Sequence, residues 1–311
     1  MSGVKPASPP ARWSGLLSSS SAVLPYLSLS VGILAISLAT FFVRWGKAPG
    51  PVSSTYRMGL AMLIQLPYLY YTMRKSPARL GYNRPAYALL AGISMGLCLV
   101  LWSTAVLETR VANASLLSNS APIFVAFYAW LVLRARLNRE YWIGLFLAMT
   151  GTVVVIGMDL ILAPSLNQGN LLALGSALFY AAYYLLVERS RQTMSTLATI
   201  WWIDLSSTAV LVVFCLAAGL PLFGYPTSTW LTFFLNALIP QIIGYFAMTY
   251  ALGRLPAWIV SPIMTLQPVL TALLAIPLMG EPLSWAQIVG GLAVVAGIYL
   301  INRAKNAENT Q

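Results

Sequence analysis

The chain has 311 residues, of which 59% are hydrophobic and only 8% charged, with a mean hydropathy of +0.77 and a formal net charge of +11. Soluble domains carry about 25% charged residues, so these values exclude a water-soluble globular protein and place most of the chain in a lipid bilayer. The basic excess sits in short connections between apolar runs. That assigns it to membrane topology and anionic headgroups, with no nucleic-acid partner.

Histidine is absent, which removes imidazole as a general base, proton relay or metal ligand. Cys98 and Cys215 lie far apart inside apolar runs and suggest neither a disulfide framework nor a metal site. The seven acidic residues are scattered, without the paired carboxylates or nucleophile–base sets that catalysis requires. No enzyme activity, metal or other cofactor is expected.

Residues 1–24, rich in Ser and Pro, read as a disordered tail rather than a cleaved leader, because the apolar run that follows is long enough to span. Ten runs of membrane-crossing length follow: 25–43, 52–73, 85–106, 111–133, 139–158, 169–188, 195–219, 229–251, 257–279 and 284–302. With the amino terminus inside, all basic residues except Arg44, Lys47, Arg57 and Arg110 fall on the cytoplasmic side. The positive-inside rule then places both termini in the cytoplasm of a bacterial-type inner membrane. The expected fold is an all-α integral membrane protein with ten transmembrane helices.

Span 4 contains "ASLLSNSAPIFVAF" (114–127), an unusually polar stretch with a helix breaker at Pro122. An offset of 146 residues explains it. Pro122 falls on Pro268, Gly144 on Gly290 and Gly151 on Gly297, and Ala105, Ser115, Ala126, Ala129 and Leu137 also meet identical residues. Bulk identity between apolar spans is weak, but a shared register of one proline and two glycines marks shared backbone needs. Five spans per copy reverse the direction of the second copy, so two inverted-topology five-helix repeats are expected, over 25–158 and 159–302, with a short tail at 303–311. Secondary transporters are built this way, with substrate sites near the midplane on interrupted helices.

The segment "LQPVLTALLAIPLMGEPLSWAQIVGGLAVVAGIYL" (266–300) resembles the drug/metabolite transporter superfamily, in its ten-span branch of amino-acid and metabolite exporters. The likeness rests on Pro268, Gly280–Glu281, Gln287–Gly290 and Gly297. In the first half Pro122, Gly144 and Gly151 match, while Ala135 stands where the acidic loop residue would fall. The resemblance implies two inverted halves, with spans 1–4 and 6–9 around a central cavity and spans 5 and 10 outside it. Within the branch the chain looks most like exporters of aromatic and other neutral amino acids. Span 1 lacks the carboxylate around which related small multidrug pumps look built.

Candidate pathway residues follow. Ser115, Asn119 and Pro122 share one helix face, with Ser118 beside them, and Ser261, Thr265 and Pro268 repeat that face in the second copy. Pro122 and Pro268 should kink spans 4 and 9. Freed carbonyls and hydroxyls suit either a wet cavity or contacts between helices. Trp102, Tyr180, Tyr183, Tyr184, Tyr245 and Tyr250 are the deep aromatics of cavity-forming spans and suit a small apolar or aromatic solute. Asp204, well inside span 7, is the candidate for coupling or for a substrate amine. The glycines of spans 5 and 10 read as close helix contact, within one chain or across a dimer, so either a monomer or a homodimer fits. The expected activity is export of a small amphipathic metabolite, a neutral or aromatic amino acid foremost, by alternating access. The alternatives are a multidrug or cationic-compound exporter of the same fold, and a channel.

Overall fold

In hydrocarbon every backbone polar group must be satisfied within its own segment, so apolar runs of this length become helices. The computed structural model describes residues 19–75, 85–109, 111–157 and 167–308, and among them the secondary structure is helical with no strands. Span 1 runs Ser19–Ser37 and Ala39–Gly46, span 2 Gly50–Lys75, span 3 Pro85–Glu108, and span 4 Val111–Ser118 and Ala121–Leu131. Span 5 is Arg139–Ile156, span 6 Gln168–Arg191 and span 7 Thr196–Ala217. Span 8 joins Thr227–Asn236, a π-helical segment Ala237–Tyr245, and Phe246–Leu252. Span 9 is Ala257–Ile263 and Leu266–Met279, and span 10 is Trp285–Glu308.

Nine of these are long and apolar enough to cross a membrane among the described residues. Span 2 has the length, at 26 residues, but its Ser53, Thr55, Arg57 and Gln65 dilute its hydropathy, and all four are buried in the protein. Helix starts are set by polar caps. The Asn138, Asn167 and Ser195 side chains accept backbone N–H bonds three residues on, opening spans 5, 6 and 7. Gly280, at φ 69°, takes the left-handed position that closes span 9.

Two expected boundaries shift. Helix already begins at Ser19, so residues 19–24 of the expected disordered tail belong to span 1, and residues 1–18 lie outside the described residues. Span 10 likewise continues through Glu308, so the expected carboxy-terminal tail is helical over most of its length. The expected junction at 158–159 and the basic positions Arg79, Arg84 and Arg110 also lie outside the described residues.

The packing follows the repeat. Span 5 lies along span 10, span 2 along span 7, and the second part of span 4 against the first part of span 9. Span 3 packs on span 6 and, correspondingly, span 8 packs on span 1. Gly144 and Gly151 meet Gly297 and Gly290. A Cβ built on Gly144 would sit 2.7 Å from the Gly297 carbonyl oxygen, and one on Gly151 would sit 2.5 Å from that of Gly290. The 146-residue offset carries the first of these contacts onto the second, as a two-fold axis between inverted copies requires. The outer faces of this pair are bare and apolar, with Phe146 74% and Leu292 66% exposed, as bilayer-facing positions are.

Candidate functional site

Spans 4 and 9 break within one residue of the same register. The Asn119–Ser120 and Met264–Thr265 turns interrupt them, and Pro122 then occupies the first turn of the resumed helix, where a missing N–H costs nothing. Side chains hold the breaks open. Ser120 Oγ donates to the Leu117 carbonyl (2.6 Å), Asn119 Nδ2 to that of Ser115 (2.7 Å), and Thr265 Oγ1 to that of Pro262 (2.6 Å).

A small cavity opens where the two breaks meet span 6. Six of the sequence-predicted residues line it: Asn119, Pro122, Tyr180, Tyr184, Ser261 and Thr265. Ala121, Met264 and Gln267 complete the wall. As packed here it has room for about one water molecule, so a larger solute enters only if the breaks move apart. Two polar atoms on its wall, the Tyr184 hydroxyl and Ser261 Oγ, are buried and have no hydrogen-bond partner. Such atoms are costly to keep unless something visits them.

From the cavity a tyrosine cluster leads deeper. The Tyr180 ring lies 4.7 Å from Tyr184 and 5.8 Å from Tyr183, and Tyr183 lies 6.5 Å from Tyr245, centroid to centroid. Beyond Tyr245 is a buried polar group drawn from spans 2, 7 and 8. Asp204 is fully buried. Its Oδ1 accepts from Gln241 Nε2 (2.7 Å) and its Oδ2 from Gln65 Nε2 (3.0 Å). Arg57 is 7% exposed, with its Cζ 5.5 Å from the Tyr245 ring centroid. Its charge acts on Asp204, Tyr245 and Cys98.

Local structure explains the convergence. Gly92 lets span 3 approach span 7 until the Ser207 hydroxyl donates to the Gly92 carbonyl (2.8 Å), and a Cβ there would lie 2.4 Å from the Ile203 carbonyl oxygen. Asp204 is therefore sealed against a backbone crossing. The π-helical stretch of span 8 contains Pro240 and carries both Gln241 and Tyr245. A π turn adds one residue to the helical repeat and is frequent at functional sites.

Other expected residues stand apart from the cavity. Ser118 Oγ donates to the Ala173 carbonyl on span 6 (3.4 Å), and the Tyr250 ring carries the Arg254 guanidinium 3.7 Å from its centroid. Ser115, Trp102 and Pro268 do not line the cavity either, and the Ser115 carbonyl serves Asn119 instead. Sequence reasoning placed Arg57 near an outer span end; it is instead buried with the Asp204 group. Gln65 and Gln241 went unnoticed. The one available signal was the low hydropathy of span 2. Glu188, at the end of span 6, was also missed. Its Oε2 accepts from the Ala257 N–H (2.9 Å), and Tyr141 donates to the Trp258 carbonyl (2.8 Å), so both pin the start of span 9.

Comparison with known proteins fits this architecture. The model of the EamA-like transporter family matches twice, over residues 23–157 and 167–303. A Bacillus subtilis (strain 168) protein described as uncharacterized transporter YyaM is 24% identical over 251 residues, covering 79% of this chain and 82% of the relative. A Salmonella typhimurium protein described as a probable amino-acid metabolite efflux pump is 26% identical over 251 residues, 77% of this chain and 82% of that one. A solved crystal structure superposes with a TM-score of 0.77 at 17% identity, covering 92% of this chain and 98% of its own, which establishes likeness of fold.

Proposed function

Because the chain belongs to the EamA-like transporter family, and is thus a multi-pass membrane transporter, we propose that it exports small amphipathic metabolites, neutral and aromatic amino acids foremost. The observation that carries this reading is the cavity between the broken spans 4 and 9. It joins an aromatic wall, Tyr180 and Tyr184, to unpaired polar atoms on Tyr184 and Ser261. Aromatic surface takes an apolar side chain, and a few fixed polar atoms set its orientation. The description of the Salmonella relative as an amino-acid metabolite efflux pump supports the same class.

The mechanism is alternating access. Each break splits a span into two short rods joined by a non-helical turn, and rocking about those turns exposes the cavity first to one side and then to the other. The distribution of basic residues supports cytoplasmic termini in a bacterial inner membrane. The test is counterflow of labelled L-phenylalanine into proteoliposomes carrying the purified protein. Uptake above that of empty liposomes is expected, and equality with empty liposomes across a panel of neutral amino acids refutes the assignment. The cationic-compound alternative draws on Asp204 beside the tyrosine cluster, since carboxylate and ring faces both attract cations. Inhibition of phenylalanine counterflow by a monovalent cationic dye at micromolar concentration would favour it.

A further inference from the structure

Arg57 and Asp204 are both buried in one group, yet they do not form a direct ion pair among the described contacts. Both oxygens of Asp204 are taken by the amides of Gln65 and Gln241. Arg57 keeps its Nε and Nη2 buried and without a hydrogen-bond partner. These two nitrogens form one edge of the guanidinium, with parallel N–H bonds spaced to match the two oxygens of a carboxylate. A charge buried this deeply is normally paired. Here its near neighbours are the Tyr245 ring, the Cys98 thiol and, through space, Asp204. Cys98 is itself engaged with Ser176 Oγ at 3.3 Å, and although the Tyr245 hydroxyl lies close to the guanidinium, neither Nε nor Nη2 has a hydrogen-bond partner.

We infer that the Nε–Nη2 edge of Arg57 is the anchor for the carboxylate of the transported molecule. The inference rests on the amino-acid reading above and names the residue that selects for it. Tyr245, Tyr183 and Tyr180 run from the Arg57 guanidinium to the cavity, and so supply an apolar wall for the side chain of a molecule anchored there.

The experiment uses purified full-length protein in detergent and reads ligand-dependent thermal stabilisation with three probes: L-phenylalanine, 3-phenylpropionate (no amine) and phenethylamine (no carboxylate). The wild type should be stabilised by the first two and not by the third. Arg57→Gln should weaken binding of both carboxylates by about 10–100-fold. Arg57→Lys, a point charge without the fork, should weaken it by about tenfold. Phenylalanine binding that survives Arg57→Gln, or phenethylamine binding to wild type as well as phenylalanine does, overturns the inference and leaves the transport assignment standing. A wild type that responds to none of the three probes overturns the amino-acid reading itself and this inference with it. Should the glutamine variant fail to purify as a single species, the three-probe comparison on wild type decides alone.

Discussion

One substitution, Gly→Ala, should have opposite outcomes inside the seam between spans 5 and 10 and outside it. Glycine within a helix is worse than alanine by about 0.5–1 kcal/mol, so Gly→Ala is favourable wherever the methyl group has room. At Gly175 in span 6 the nearest atom to a new Cβ is the Leu101 Cδ1 methyl at 3.4 Å, an ordinary contact. Gly175→Ala should therefore raise stability by about 0.5 kcal/mol or slightly more. At Gly151 the new Cβ would lie 2.5 Å from the Gly290 carbonyl oxygen and 2.7 Å from the Val294 nitrogen. Both are backbone atoms and cannot rotate away. Reaching an ordinary C···O separation of about 3.3 Å requires the two helices to part by roughly 0.8 Å. A gap of that size forfeits about a quarter to a half of the dispersion attraction across the seam, and overpacking of this kind costs about 1–3 kcal/mol. After the helix-propensity gain is subtracted, Gly151→Ala should lose about 1–2 kcal/mol. Thermal unfolding followed by size-exclusion chromatography in one detergent would show the two midpoints moving in opposite directions. A Gly151→Ala midpoint at or above wild type would refute the close-packed seam. Gly290→Ala, its partner across the contact, should match Gly151→Ala.

Further expectations concern the cavity and the buried carboxylate. Ser261→Ala and Tyr184→Phe each remove an unpaired buried polar atom, so stability should hold or rise by up to about 1–3 kcal/mol while the KM for phenylalanine counterflow increases; a fall in stability with unchanged transport would contradict the proposed role of those atoms. Replacing Pro122 and Pro268 together with Ala should slow transport at wild-type expression, as scored by counterflow per unit of purified protein. Residual transport is expected there, because Ser120 and Thr265 also hold the turns. Asp204→Asn can still engage both glutamines if one amide turns over, since the Gln65 and Gln241 oxygens are free, whereas Asp204→Ala orphans two buried N–H donors. The alanine variant should be less stable than the asparagine variant by about 2–5 kcal/mol, measured as a difference in unfolding midpoint.

Much of this arrangement is legible in the residues. Runs of about twenty apolar residues fix the spans because the bilayer permits little else. The shared register of Pro122 and Pro268 locates the two breaks, and the shared glycines of spans 5 and 10 locate the seam, because each residue type answers a specific backbone demand. Which face a residue occupies is far less legible. Spans 3 and 6 are apolar nearly all round, so neither amphipathic pattern nor spacing tells that Tyr180 and Tyr184 reach the cavity while Trp102 does not. Arg57 misled for a related reason. Seven residues into its helix, it fits a span end by distance along the sequence, and only the approach of spans 7 and 8 buries it. Gln241 was invisible because its aim depends on the turn of helix beneath it.

That turn has a consequence for direction. If the two halves were equal in every residue, exchanging their conformations would convert an inward-open state into an outward-open one of identical free energy, and neither side would be preferred. Among the described residues the π segment lies in span 8 alone; span 3, the corresponding helix, runs unbroken from Pro85 to Glu108 and has no glutamine. Span 2, facing span 7 from the other copy, carries no acidic residue to mirror Asp204. One extra residue in one helical turn thus gives the molecule a handedness across the membrane. In the proposed alternating-access cycle it would bias which mouth rests open, at a point where the chain departs from its own repeat.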